Sequence, residues 1–173
     1  MEKLKESFHI AKLALFNVRV LSEVENARAT SAEVDGIVTR VAGEFRVALP
    51  VSLRHQGSIL GVLYLGLIWL WDQPGVREHA DLHDLVATRI DLVARARIVQ
   101  NRKPRPVTGS ELLGAMRNAT AHGRVVATET EFIFTDKNMR DPNDEISFAL
   151  SWEDTARLAE SVFWVLNDII WRT

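Results

Sequence analysis

A chain of 173 residues is long enough for one well-buried domain and too short for two comfortable ones, so a single domain over residues 1–173 is expected. Hydrophobic residues at 47% and charged residues at 25% are ordinary for a globular protein, and a net charge of −2 argues against charge-driven, sequence-independent binding of nucleic acid. The absence of cysteine excludes a disulfide framework and a thiolate metal site and fits a cytoplasmic location.

The N-terminal stretch MEKLKESFHI mixes acids with bases and lacks a long apolar core, so it does not read as a signal peptide. Glu2 to about Arg28 reads as a long helix with Leu4, Phe8, Ala11, Leu15 and Val18 along one stripe. Thr30 with Glu33 forms a capping-box pattern opening a second helix through Val34, Ile37, Val41 and Phe45, which Pro50 stops. Arg54 to Trp71 is apolar nearly all round and predicts a central helix surrounded by the others. Its most apolar part, Ser58 to Trp71, falls short of the roughly 20 residues that span a bilayer, so no membrane partner is expected. Gly57, Gly61 and Gly66 lie near one side of it and allow close helix approach, within one subunit or at a dimer contact.

Asp72 and Pro74 mark the next helix start, with Ala80, Val86, Ile90 and Val93 carrying the pattern on to about Val99. NRKPRP, Asn101 to Pro106, predicts a stiff loop. Beyond Gly123 the hydrophobic period changes from 3.6 to 2. Phe132 and Phe134 alternate with polar neighbours, as do Ile146, Phe148 and Leu150, across the polar turn region Asp136 to Asp144. This predicts a hairpin, with a short strand at Val125 to Thr128 ahead of it. Ser151 with Asp154 opens the last helix, whose apolar face runs Ala156, Ala159, Val162, Phe163, Leu166, Ile169 and Ile170. The expected fold is mainly α: a helical bundle with a small β-hairpin before the C-terminal helix.

Thr108 to Gly123, TGSELLGAMRNATAHG, carries the densest chemistry. Leu112, Leu113, Met116 and Ala119 give it an apolar face, Thr108 and Glu111 a capping box, and Gly123 a left-handed stop. Near its end sit Arg117, Asn118 and His122. Asn118 and His122, four apart, share a face, so the amide can orient the imidazole. Arg117 and His122 lie roughly 140° apart around the axis and about 7.5 Å along it, which leaves room for a phosphate between them. The helix C-terminus favours the imidazolium while Arg117 opposes it, a balance suited to proton transfer. The alternative is that Arg117 and His122 merely cap the helix end.

RNATAHG, after a short apolar helix and before a hairpin, resembles the R-x4-H signature of the HEPN superfamily, often written RN-x3-H. The resemblance covers about Thr108 to Trp171, and the C-terminal half is similar to a plasmid-borne subfamily with a β-hairpin after the motif. It implies a small all-helical bundle and a metal-independent RNase of toxin–antitoxin or anti-phage systems, with Arg117, Asn118 and His122 matching the motif. It also implies a homodimer whose site forms between two copies, and an antitoxin or regulatory protein as a further partner. In the branch silenced by nucleotidylation a Tyr stands two residues after the His; here that position is Arg124. No cofactor is implied. A catalytically silent module for dimerisation, nucleotide binding or partner binding is the rival within the superfamily.

Arg95, Arg97, Arg102, Lys103 and Arg105 form a run of bases uninterrupted by acids. Arg102, Lys103 and Arg105, with Arg124, are the candidate RNA-binding residues, against the alternative of a solvated helix end. His79 and His83, four apart, could hold one metal ion, but Ala80 breaks the HExxH pattern and a third ligand, His9 or His55, is unplaced. The alternative is a solvated helix face. Trp69, Trp71, Trp152, Trp164 and Trp171 all lie in apolar helical segments, which favours core or dimer packing over base stacking. GxxxxGK[ST], GxGxxG and GxSxG are all missing, leaving phosphate-loop, Rossmann and α/β-hydrolase chemistry without support.

Overall fold

A computed structural model describes residues 2–49, 56–73, 76, 82–102 and 106–171. The chain runs α1 (Glu2–Arg28), α2 (Ala32–Glu44), α3 (Gln56–Tyr64) continuing as a π-helical segment (Leu65–Leu70), α4 (Leu82–Arg89) and α5 (Leu92–Arg95). Then follow β1 (Arg97–Asn101), α6 (Gly109–Ala121), β2 (Val125–Ala127), β3 (Glu131–Asn138), β4 (Asp141–Ser151) and α7 (Trp152–Trp171). The fold is mainly helical with one antiparallel sheet in the order β1-β4-β3-β2. Among the described residues no helix is long and apolar enough to cross a membrane.

The core lies where α3, α6 and α7 meet the sheet. Leu63, Leu67 and Leu70 enter from the α3 run, Leu112, Leu113 and Met116 from α6, and Leu158, Val162 and Leu166 from α7. Phe132, Phe134 and Phe148 close it from the sheet, with the Phe134 and Phe148 rings stacked at 5.5 Å. Gly66 lets α7 approach: a Cβ there would stand 3.2 Å from Val162 Cγ1 and 3.3 Å from Phe163 Cε2. Gly61 meets no neighbour within 4 Å, so of these two glycines it is Gly66 that serves close approach inside the chain. Of the tryptophans, Trp71 is buried, Trp69 and Trp152 are partly buried, and Trp164 and Trp171 are exposed.

Several sequence expectations are corrected. The N-cap of α2 is Ser31, whose hydroxyl accepts from Val34 N–H, while the Thr30 hydroxyl donates back to the Ala27 carbonyl; the adjacent hydroxyl wins because its backbone is extended. The helix expected to reach Val99 ends at Arg89. Asp91 turns left-handed at φ 48°, a single turn follows, and Arg97–Asn101 pairs with β4 as an edge strand. The β-branched pair Ile98 and Val99 fits a strand, and a register shift between Ile98 and Gln100 bends it. The hairpin is longer than its apolar alternation: β3 runs to Asn138 and β4 starts at Asp141, because ladder hydrogen bonds carry polar residues too. The helix signals at Pro50, Arg54 and Pro74, and the residues His55, His79, Lys103 and Arg105, lie outside the described residues.

Candidate active site

The sequence secures α6 at both ends. Thr108 Oγ1 accepts from Glu111 N–H and the Glu111 carboxylate accepts from Thr108 N–H, closing the capping box. At the other end Gly123 sits at φ 64°, Arg124 N–H donates to the Ala119 carbonyl at 2.8 Å and Gly123 N–H to the Thr120 carbonyl at 3.3 Å. This pair of bonds is a Schellman closure, and it fixes His122 as the C-cap. Leu112, Leu113, Met116 and Ala119 are all buried, so the polar residues of the motif are turned outward.

His122 is exposed and opens on a hollow of about 630 Å³ between the end of α6 and the tip of the hairpin. Asn118, Arg124, Lys137 and Arg140 share its wall with the carboxylates of Asp136 and Asp144. Asn118 Nδ2 donates to Asp136 Oδ2 at 3.3 Å, so the amide expected to orient the imidazole is engaged by β3. Arg124 Nη1 donates to the Lys137 carbonyl at 3.0 Å, which holds this guanidinium against the hairpin.

Arg117 lies on another side of the helix, outside that hollow. Its Nη2 donates to Asp72 Oδ1 at 2.5 Å, while its buried Nε finds no hydrogen-bond partner among the described residues. Asp72 directly follows Trp71, whose ring stands 4.8 Å from that of His83. His83 is half-buried there. Burial first and the Arg117 charge second push its titration below the ordinary histidine value, with Asp84 opposing. Arg117 therefore joins Asp72 and His83 in one cluster, and His122 joins Asn118 and the hairpin cations in another.

The basic run is divided by the edge strand. Arg95 pairs with Asp154 at 2.6 Å, Arg97 with Glu131 at 2.5 Å, and Arg102 with Glu145 at 3.7 Å. Glu145 faces Lys137 across the β3–β4 ladder, and on its other side Arg102, one residue past β1, donates its N–H to the Glu145 carbonyl. Adjacent strands are about 4.8 Å apart, which sets Arg102 roughly 10 Å from the Lys137 strand, and it does not line the hollow. Lys137 and Arg140 escaped the sequence reading because each stands among acids, in DKN and RDPND. The signal that could have marked them was the hairpin itself, whose tip has to return toward the end of α6. Among the described residues no three histidines or carboxylates converge as metal ligands. No family model, curated protein or solved structure matches the chain.

Proposed function

We propose that this protein is a metal-independent endoribonuclease of HEPN type, acting as a homodimer in the cytoplasm. The observation that carries this reading is an exposed histidine at the end of a doubly capped helix, opening on a hollow with Asn118, Arg124, Lys137 and Arg140. The reaction is attack of a ribose 2′-hydroxyl on the neighbouring phosphorus with departure of the 5′-oxygen. It needs a base, an acid and positive charge on the phosphorane, and no metal. His122 moves protons, Asn118 positions the site through Asp136, and positive charge comes from Arg124, Lys137 and Arg140 on the wall of the hollow, since Arg117 is held by Asp72 outside it. Arg124 and Arg102, with Lys103 and Arg105, track the RNA backbone together with Lys137. A single chain offers one motif histidine; two chains related by a two-fold axis through α6 offer the second. Under this reading the protein is a toxin or anti-phage effector, held in check by an antitoxin or regulatory protein.

A second reading is favoured by one observation: Arg117 is engaged by Asp72 and Asn118 by Asp136 within the chain. That pattern suits a catalytically silent module for dimerisation, nucleotide binding or partner binding. Cleavage assays on one unstructured RNA separate the two. The RNase reading expects cleavage that survives excess EDTA, leaves 2′,3′-cyclic phosphate ends, and falls roughly 10²–10⁴-fold in His122→Ala, the usual worth of general acid–base catalysis. Undiminished cleavage by His122→Ala ends the assignment to this motif. RNA bound without being cut leaves the silent module in front.

A further inference from the structure

Helix α1 is apolar on two sides. One stripe, Phe8, Ala11, Leu15 and Val18, packs into the core. A second, Ile10, Leu13, Phe16 and Val20, steps along the opposite side at helical spacing and continues through Val24 and Ala27. The second stripe faces water: Ile10 is 57% and Phe16 60% exposed. Helix α2 carries buried and exposed apolar residues on adjacent parts of one side. Val38 and Ala42 are buried, while Ile37 at 50% and Phe45 at 75% continue outward from Val34. Between the second stripe of α1 and Val34 lies an open apolar groove of about 500 Å³, with Arg19 and Glu23 on its rim.

We propose that this face joins two copies of the chain, their α1–α2 hairpins packing about a two-fold axis into a four-helix bundle. Area is the first argument. An aromatic side chain carries about 150–250 Å² of surface, so Phe16 and Phe45 alone leave roughly 200–340 Å² in water. With the exposed Ile10, Leu13, Val20, Ile37 and Val41 the face comes to on the order of 700 Å², close to the ~800 Å² per partner of a standard stable interface. A monomer's largest apolar patch is normally smaller, about 300–600 Å². Shape is the second argument. A two-fold interface has to be self-complementary, and this face presents both a ridge on α1 and the groove beside it. Charge is the third. Arg19, which also reaches Glu160 of its own α7, stands one turn before Glu23. An antiparallel second copy sets these unlike signs against each other, whereas a strongly charged partner would meet one of them unfavourably. The interface is distinct from the α6 pairing of the RNase reading: α1 packs on α2, α3 and α7, while α6 packs on α3, α4, α5 and β3.

Light scattering on purified chains tests it. The wild type is expected at a multiple of the chain mass, and Phe16→Glu/Phe45→Glu at half the wild-type value, with helical circular dichroism retained. His122→Ala should keep the wild-type mass. A wild type at the mass of one chain overturns the proposal. So does an unchanged mass in the double variant, which would place the contact elsewhere and leave the α6 pairing untouched. If the glutamates prevent folding, Phe16→Ser/Phe45→Ser under dilution decides. Loss of two central aromatic anchors should raise the dissociation midpoint at least about tenfold, and an unmoved midpoint overturns the assignment.

Discussion

Arg117 is placed to act on two neighbours, and both effects can be measured. Its ion pair with Asp72 is partly exposed on both sides, so solvent screening limits its worth to about 0–1 kcal/mol. Asp72→Asn should therefore leave the unfolding free energy within about 1 kcal/mol of wild type. Its effect on His83 is electrostatic and of known sign: a fixed guanidinium disfavours the imidazolium. Arg117→Met should raise the His83 titration midpoint toward the ordinary histidine value without reaching it, because burial is the larger cause. Ring-proton shifts followed against pH would read this directly. A midpoint that stays put would show that the Arg117 charge does not reach the ring. His122 differs in kind. It is exposed, so His122→Ala should change stability by no more than about 1 kcal/mol, the scale of a helix-end charge effect, whatever it does to cleavage.

At the scale of elements, α6 is held by local chemistry and the rest of the site by distant chemistry. Thr108→Ala removes the capping-box acceptor and should cost about 1 kcal/mol in urea unfolding. Gly123→Ala puts a Cβ on a left-handed residue and should cost about 1–2 kcal/mol, although nothing stands within 4 Å of that Cβ. Equal stability in either variant would mean that the helix end does not depend on its cap. Because these caps lie within the helix's own sixteen-residue stretch, α6 and the positions of Arg117, Asn118 and His122 were legible in the sequence. Asp72 was not, since it reaches Arg117 across 45 residues, nor was Asp136, which takes Asn118 across 18. β1 was hidden for a related reason. Val86, Ile90 and Val93 keep helical spacing up to its edge, and only the β4 backbone, supplying partners for Arg97 to Asn101, makes that stretch a strand. The hairpin was legible as alternation, but its polar tip was not, because ladder bonds rather than side chains extend it.

For the whole molecule, His83 couples folding to pH through a window whose sign can be worked out. In the unfolded chain its imidazole titrates at the ordinary value of about 6.5. In the folded chain burial beside Trp71 and the Arg117 charge push that value down, against Asp84. Between the two values the unfolded state therefore binds more protons than the folded one, and stability rises with pH across that interval. The contribution is fully present above about pH 6.5 and is lost progressively as pH falls toward the folded value, below which it changes no further. The unfolding temperature should accordingly fall as pH is lowered from neutrality through that interval. His83→Gln has no titrating proton and should flatten this part of the profile. Arg117→Met should shrink the same step, since it removes the second of the two causes. Calorimetric scans of the three proteins across that range provide the check. If the wild type and His83→Gln descend in parallel, the ring does not bind its proton differently in the folded and unfolded chains, and the cluster of Trp71, Asp72, His83 and Arg117 carries no such linkage.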